Sequence, residues 1–173
     1  VMLGVPWTIG YDLKTGAELW RTKGMGGELT PSPTFAEGKV VTAMAGKYLF
    51  VIKPDGRGDV TESHQKKIDI EPLPDIISPL AAGNRALLLN GGGLAGWIDL
   101  ESGKTVWEHD FDHGIHASPI AAGDKIYLID NDGKTHVIQI GDEFKEIAVN
   151  EIEDEIRATP AFAGGRIFIR GKK

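Results

Sequence analysis

One phrase occurs four times in this chain: Ser/Thr-Pro, a few small apolar residues, Gly, a polar or charged pair, then an apolar run. The copies are SPTFAEGKVVTA (32–43), SPLAAGNRALLL (78–89), SPIAAGDKIYLI (118–129) and TPAFAGGRIFIR (159–170). Their prolines, Pro33, Pro79, Pro119 and Pro160, stand 46, 40 and 41 residues apart. A fixed period of this length is the mark of a repeat architecture, in which each unit buries its apolar faces only against its neighbours. Within one period the signals are those of strands and hairpins. After Pro119 the chain reads as strands at 120–122, 125–130, 135–140 and about 145–150. The tight turn Gly123-Asp124 separates the first two strands. Asn131-Asp132-Gly133-Lys134 separates the next two, an Asp-Gly turn that tolerates positive φ. Four antiparallel strands per forty residues make one blade of a β-propeller. The expected units are a partial blade at 1–31, blades at 32–77, 78–117 and 118–158, and a partial blade at 159–173.

A second repeated phrase falls at the corner between the third and fourth strands. YDLKTGAELW (11–20) and IDLESGKTVW (98–107) share Asp, two residues, Ser or Thr, Gly, three residues and Trp. Asp12 with Thr15 and Asp99 with Ser102 are expected to bond backbone amides inside the turn. Gly16 and Gly103 supply the turn's backbone angles. Trp20 and Trp107 are then expected to pack against the next blade, each burying roughly 150–250 Å². Between Asp55 and Pro79 this corner is missing, so that blade reads either as degenerate or as one from which residues are missing. The opening VPWTIGYDL reads as too short for a full hairpin turn.

The net charge of −6 and pI near 5.4 argue against a nucleic-acid surface, since the one basic cluster, Lys66–Lys67, sits among acidic neighbours. There is no Cys, which excludes disulfides, thiolate metal sites and cysteine nucleophiles. No apolar run approaches the roughly 20 residues of a membrane helix, so no membrane insertion is expected. The chain opens at Val1 without a charged leader, and any targeting signal is expected outside these residues.

The Asp-x-x-Thr-Gly-x-x-x-Trp corner resembles the repeat of the PQQ-like, or quinoprotein-alcohol-dehydrogenase-like, β-propellers. The phrases GRGDVT (56–61) and GGRIFIR (164–170) are similar to those of bacterial PQQ-binding-like repeat proteins. The resemblance implies an all-β propeller of four-stranded blades, with about four blades' worth here out of a ring of seven or eight. Ring closure then needs further sequence or another chain. It also implies a periplasmic or extracellular location. Dehydrogenases of the superfamily hold pyrroloquinoline quinone (PQQ) and calcium on the axis, with an Asp base and often a vicinal disulfide. The disulfide form is excluded here, and no calcium cluster of six to eight oxygens stands out.

The densest chemical stretch is EHDFDHGIH (108–116). On a strand, His109 and His113 share a face but lie roughly 13 Å apart, too far for one metal, so no metal site is expected. Asp75, His116 and Arg157 each precede a repeat proline by three or four residues. They fall on the connections between blades, at the mouth of the channel. With His113 and Glu155 they form the candidate binding set; the competing reading is loop polars facing water. RGD at 57–59 belongs to the family phrase, and GGG at 91–93 reads as a hairpin, with no helix to meet a phosphate. EIEDEI (151–156) reads as a solvated strand end. No catalytic constellation or resident cofactor is expected. The function expected is a non-catalytic propeller that binds a protein or extracellular polymer, as outer-membrane assembly lipoproteins of similar repeat do. The alternative is a PQQ- and calcium-dependent dehydrogenase with most cofactor ligands elsewhere.

Overall fold

The computed structural model describes residues 1–173. The strands are β1 (Met2–Leu3), β2 (Trp7–Tyr11), β3 (Glu18–Lys23), β4 (Thr34–Ala36), β5 (Lys39–Met44), β6 (Tyr48–Ile52) and β7 (Gly58–Asp59). A one-turn helix α1 (Thr61–His64) leads to β8 (Gln65–Ile68), β9 (Leu80–Ala82), β10 (Arg85–Leu89), β11 (Leu94–Asp99) and β12 (Thr105–Asp110). The rest are β13 (Ile120–Ala122), β14 (Lys125–Ile129), β15 (Lys134–Gln139), β16 (Glu146–Glu151), β17 (Ala161–Ala163) and β18 (Arg166–Phe168). Four sheets have four strands, in the orders β1-β2-β3-β7, β4-β5-β6-β8, β12-β11-β10-β9 and β13-β14-β15-β16; β17 and β18 form a two-stranded fifth. The inner strands β4, β9 and β13 lie side by side, as blades do around an axis.

The apolar runs are continuous because the middle strands are covered on both faces. Along β10, Ala86 and Leu88 enter a core shared with Val41, Leu49 and Val51 of the preceding sheet. Leu87 and Leu89 point the other way, into a core with Ile126, Leu128 and Ile138 of the following sheet. A period of two thus feeds two inter-blade cores from one strand. Fully burying such a side chain is worth about 1.5–3 kcal/mol.

The Ser/Thr-Pro phrase explains how the inner strands are tied together. Ser78 Oγ accepts the Ser32 amide, Ser118 Oγ accepts the Ser78 amide, and Thr159 Oγ1 accepts the Ser118 amide, each at 3.0 Å. Each link joins one copy of the phrase to the next, so one hydroxyl per period stitches each blade to its neighbour.

The corners form by local hydrogen bonding. Asp12 Oδ1 accepts the Thr15 amide at 2.8 Å and the Thr15 hydroxyl at 2.8 Å, while Gly16 turns at φ 71°. Asp99 Oδ1 accepts the Ser102 amide at 2.6 Å, and Gly103 turns at φ 75°. Opposite each corner the strand register slips once: between Gly10 and Tyr11, between Trp97 and Ile98, and between Val137 and Ile138. One extra residue on the outer strand at that point re-aims the side chain that follows it. In the first sheet that side chain is Trp20, nearly fully buried among Met25, Val40 and Phe50. A Cβ on Gly10 would clash with the Trp20 indole, so only glycine fits beneath it. In the third sheet it is Trp107, stacked on Trp97 at 5.9 Å and donating from Nε1 to the Gly141 carbonyl of the next sheet, 3.2 Å.

One local expectation needs correcting. The opening segment does form a hairpin, with β1 pairing β2 around the Pro6 turn. The segment lacking the corner still completes a four-stranded sheet, by another route. After β6 the chain crosses back, β7 pairs in parallel with β3, and Val60 seals the core beside Trp20. Thr61 Oγ1 accepts the Lys23 amide at 2.8 Å, and β8 then returns to pair with β6. The excursion covers the indole that a regular corner would leave to its neighbour.

Candidate functional site

Two kinds of segment share one face: the hairpins between second and third strands, and the connections that lead from a fourth strand to the next blade. Asn90–Gly93 and Asp130–Gly133 are the hairpin tips of the third and fourth sheets. The connection after β12 is bound to its own hairpin by Phe111 N to Gly93 O, 3.1 Å, and Ile115 N to Gly91 O, 3.1 Å. It is bound to the next hairpin by Asn131 N to Gly114 O, 2.9 Å. The same lacing recurs after β16, where Ile152 N donates to Gly133 O at 3.0 Å and Ile156 N to Asn131 O at 3.2 Å.

This lacing gathers four of the five candidate residues around the Asn131-Asp132 tip. His116 donates from Nδ1 to Asn131 Oδ1, 2.8 Å. His113 Nδ1 lies 3.2 Å from Asp132 Oδ2. Glu155 and Arg157, with Asn131, Asp132 and Asp154, line an open concavity of about 440 Å³. Arg157 Nε donates to Glu155 Oε1 at 2.6 Å, and Lys172 Nζ donates to Oε2 at 2.8 Å. The Lys172 bond, then the Arg157 bond, hold the Glu155 carboxyl below its ordinary value. Asp75 lies apart, one blade back, its Oδ1 accepting the Ile76 amide at 2.7 Å and its carboxylate against Gly91. His109 is also apart, stacked on Phe144 at 3.8 Å. The face offers hydrogen bonds and charges of both signs, which suits recognition of a polar surface.

Sequence reasoning missed the residues beneath this face. Asp130 is wholly buried; its Oδ1 accepts the Asp132 amide at 3.0 Å and the Lys134 amide at 2.8 Å. His136, nearly buried on β15, bonds Glu146 Oε1 from Nδ1 at 2.7 Å and rests on the Phe111 ring. The visible signal was an inward-facing His six residues after an Asp that also begins a turn.

A family model described as outer membrane protein assembly factor BamB, of the PQQ-like repeat type, matches residues 7–173. The chain belongs to this family. Among solved structures, BamB from Moraxella catarrhalis superposes on this BamB-family chain with a TM-score of 0.72 and 14% identity, over 99% of this chain and 53% of that one. The computationally designed Ika4 protein is similar with a TM-score of 0.69 and 15% identity, over 91% and 94%. A europium-containing methanol dehydrogenase is similar with a TM-score of 0.53 and 11% identity, over 69% and 24%. At such identities the likeness is one of fold: a PQQ-like β-propeller. The chain spans about half the length of the M. catarrhalis protein. Among curated proteins, none matches the sequence. No helix is long and apolar enough to cross a membrane.

The superfamily's quinone and calcium find a poor fit among the side chains gathered here. Asp12 and Asp99 are engaged in their turns, and Asp130 spends one oxygen on its hairpin. The one compact donor set, His113 with Asp130 and Asp132, includes an imidazole, whereas calcium takes an all-oxygen shell.

Proposed function

We propose that this BamB-family chain is a non-catalytic binding or scaffold module. In this reading residues 1–173 are part of one propeller domain, with blades at 32–77, 78–117 and 118–158 and partial blades at either end. Its partner is a protein, or less directly an extracellular polymer, met in the periplasm or at the cell surface. The family match over nearly the whole chain carries this reading, because the matched family is described by assembly of other proteins. The mixed-charge face around the Asn131-Asp132 tip suits it, since charges of both signs at a polar rim can steer and select a complementary partner surface.

The test is a photo-crosslinking amino acid placed at Glu155 of the full-length protein in its native host, with Asn84, on the opposite turns, as the control position. A discrete protein adduct at 155 and none at 84 supports the reading. Reconstitution with PQQ and calcium that gives a bound chromophore and dye reduction would overturn it in favour of a dehydrogenase.

A further inference from the structure

Beneath the hairpin tip the structure leaves two buried acceptors without donors. Asp130 is 0% exposed, and its Oδ2 has no hydrogen-bond partner; neither has His136 Nε2. The two atoms lie 3.6 Å apart, beyond hydrogen-bond length. Because His136 donates from Nδ1 to Glu146, its Nε2 in the neutral ring carries a lone pair and has no proton to offer. A buried carboxylate oxygen left in this state is costly, and a cation is what such an arrangement lacks.

The same aspartate belongs to a second grouping that opens outward. One ligating atom each from His113, Asp130 and Asp132 lie within 4.8 Å of one another. His113 Nδ1 and Asp132 Oδ2 are 3.2 Å apart. Donors held at about 2.0–2.2 Å around one ion stand about 3–3.5 Å apart, so the His113–Asp132 pair already has the spacing of a shared ion, and Asp130 would close on it by a side-chain adjustment. One imidazole and two carboxylates form a borderline donor set, favouring zinc over calcium or magnesium. His113 and Asp132 are partly exposed, so the group is open to solvent, while Asp130 is wholly buried.

We propose that His113, Asp130 and Asp132 bind a divalent transition-metal ion, zinc in the first instance. His113 comes from the connection after β12 and both aspartates from the β14–β15 hairpin, so the ion would clamp one blade to the next at the base of the partner-facing surface. The site does not depend on which partner the face binds.

The experiment is calorimetric titration of the chelator-treated full-length protein with zinc sulfate, beside thermal melting with and without zinc. One saturable site is expected, with a higher melting temperature at saturation. His113→Ala and Asp132→Asn change exposed groups and leave the buried aspartate in place; each is expected to weaken zinc about tenfold or more and to abolish the thermal shift. His109→Ala, on the stacked ring nearby, is expected to bind as the parent does. Circular dichroism checks that each variant keeps its sheet content. Absence of saturable binding in the parent would overturn the proposal. Unchanged zinc affinity in both His113→Ala and Asp132→Asn would overturn it equally.

Discussion

At the corner turns, single carboxylates do work that the residue type alone would not reveal. Asp99 Oδ1 accepts the Ser102 amide at 2.6 Å, while Oδ2 faces the Arg85 guanidinium. The Ser102 amide bond is the largest cause, ahead of the Ser102 side chain and the Arg85 charge, of a carboxyl held below its ordinary value. Asp12 is lowered in the same way by the Thr15 amide. A carboxyl depressed in the folded state stabilises fully above its unfolded value, about 3.9, and loses that contribution as the pH falls through the lower folded value. The melting temperature of the parent is therefore expected to fall more steeply below about pH 4 than that of Asp99→Asn, and the two curves should approach each other at the acid end. Melting curves across that range check this; parallel curves would mean that the charge on Asp99 contributes nothing.

At the scale of the element, the inner strands are short, and a three-residue strand such as β9 has little pairing of its own. The chain of hydroxyl-to-amide bonds through Ser78, Ser118 and Thr159 supplies the missing tie between blades. Removing one hydroxyl strands the amide of the preceding copy, so Ser118→Ala is expected to cost about 0.5–1.5 kcal/mol, and more if water cannot reach the Ser78 amide. Denaturant unfolding measures it. If the links act as one ladder, Ser78→Ala with Ser118→Ala will depart from the sum of the single changes, because the two share Ser78 as donor and acceptor. The repeat was legible at this scale because hairpin chemistry and a period of two are local. The outer-strand bulges were not, since an extra residue shows only against its partner strand.

For the whole molecule, burial is uneven. The middle strands of the second and third sheets are covered on both faces, whereas every residue of β16 is exposed and Phe168 on β18 is 54% exposed. Ile147, Val149 and Ile167 are likewise exposed large apolar side chains of the last two sheets. The 173-residue chain on its own is expected to self-associate through this end, and Ile167→Glu with Phe168→Glu to return it to monomers. Light scattering coupled to size exclusion distinguishes the two; a monomeric parent would show that the exposed end is not adhesive.

The all-β class, the blade period and the corner turns follow from the order of residues, because each depends on contacts within about forty residues and repeats in register. The meeting of His113 with Asp132, the isolation of Asp75 and the burial of Asp130 against His136 do not. They depend on how one blade's outgoing connection laces onto the next blade's hairpin, through backbone bonds such as Asn131 to Gly114 that any residue type could make. Side-chain chemistry can be read along a strand, but which chemistries face each other across two blades is decided only when the blades are packed.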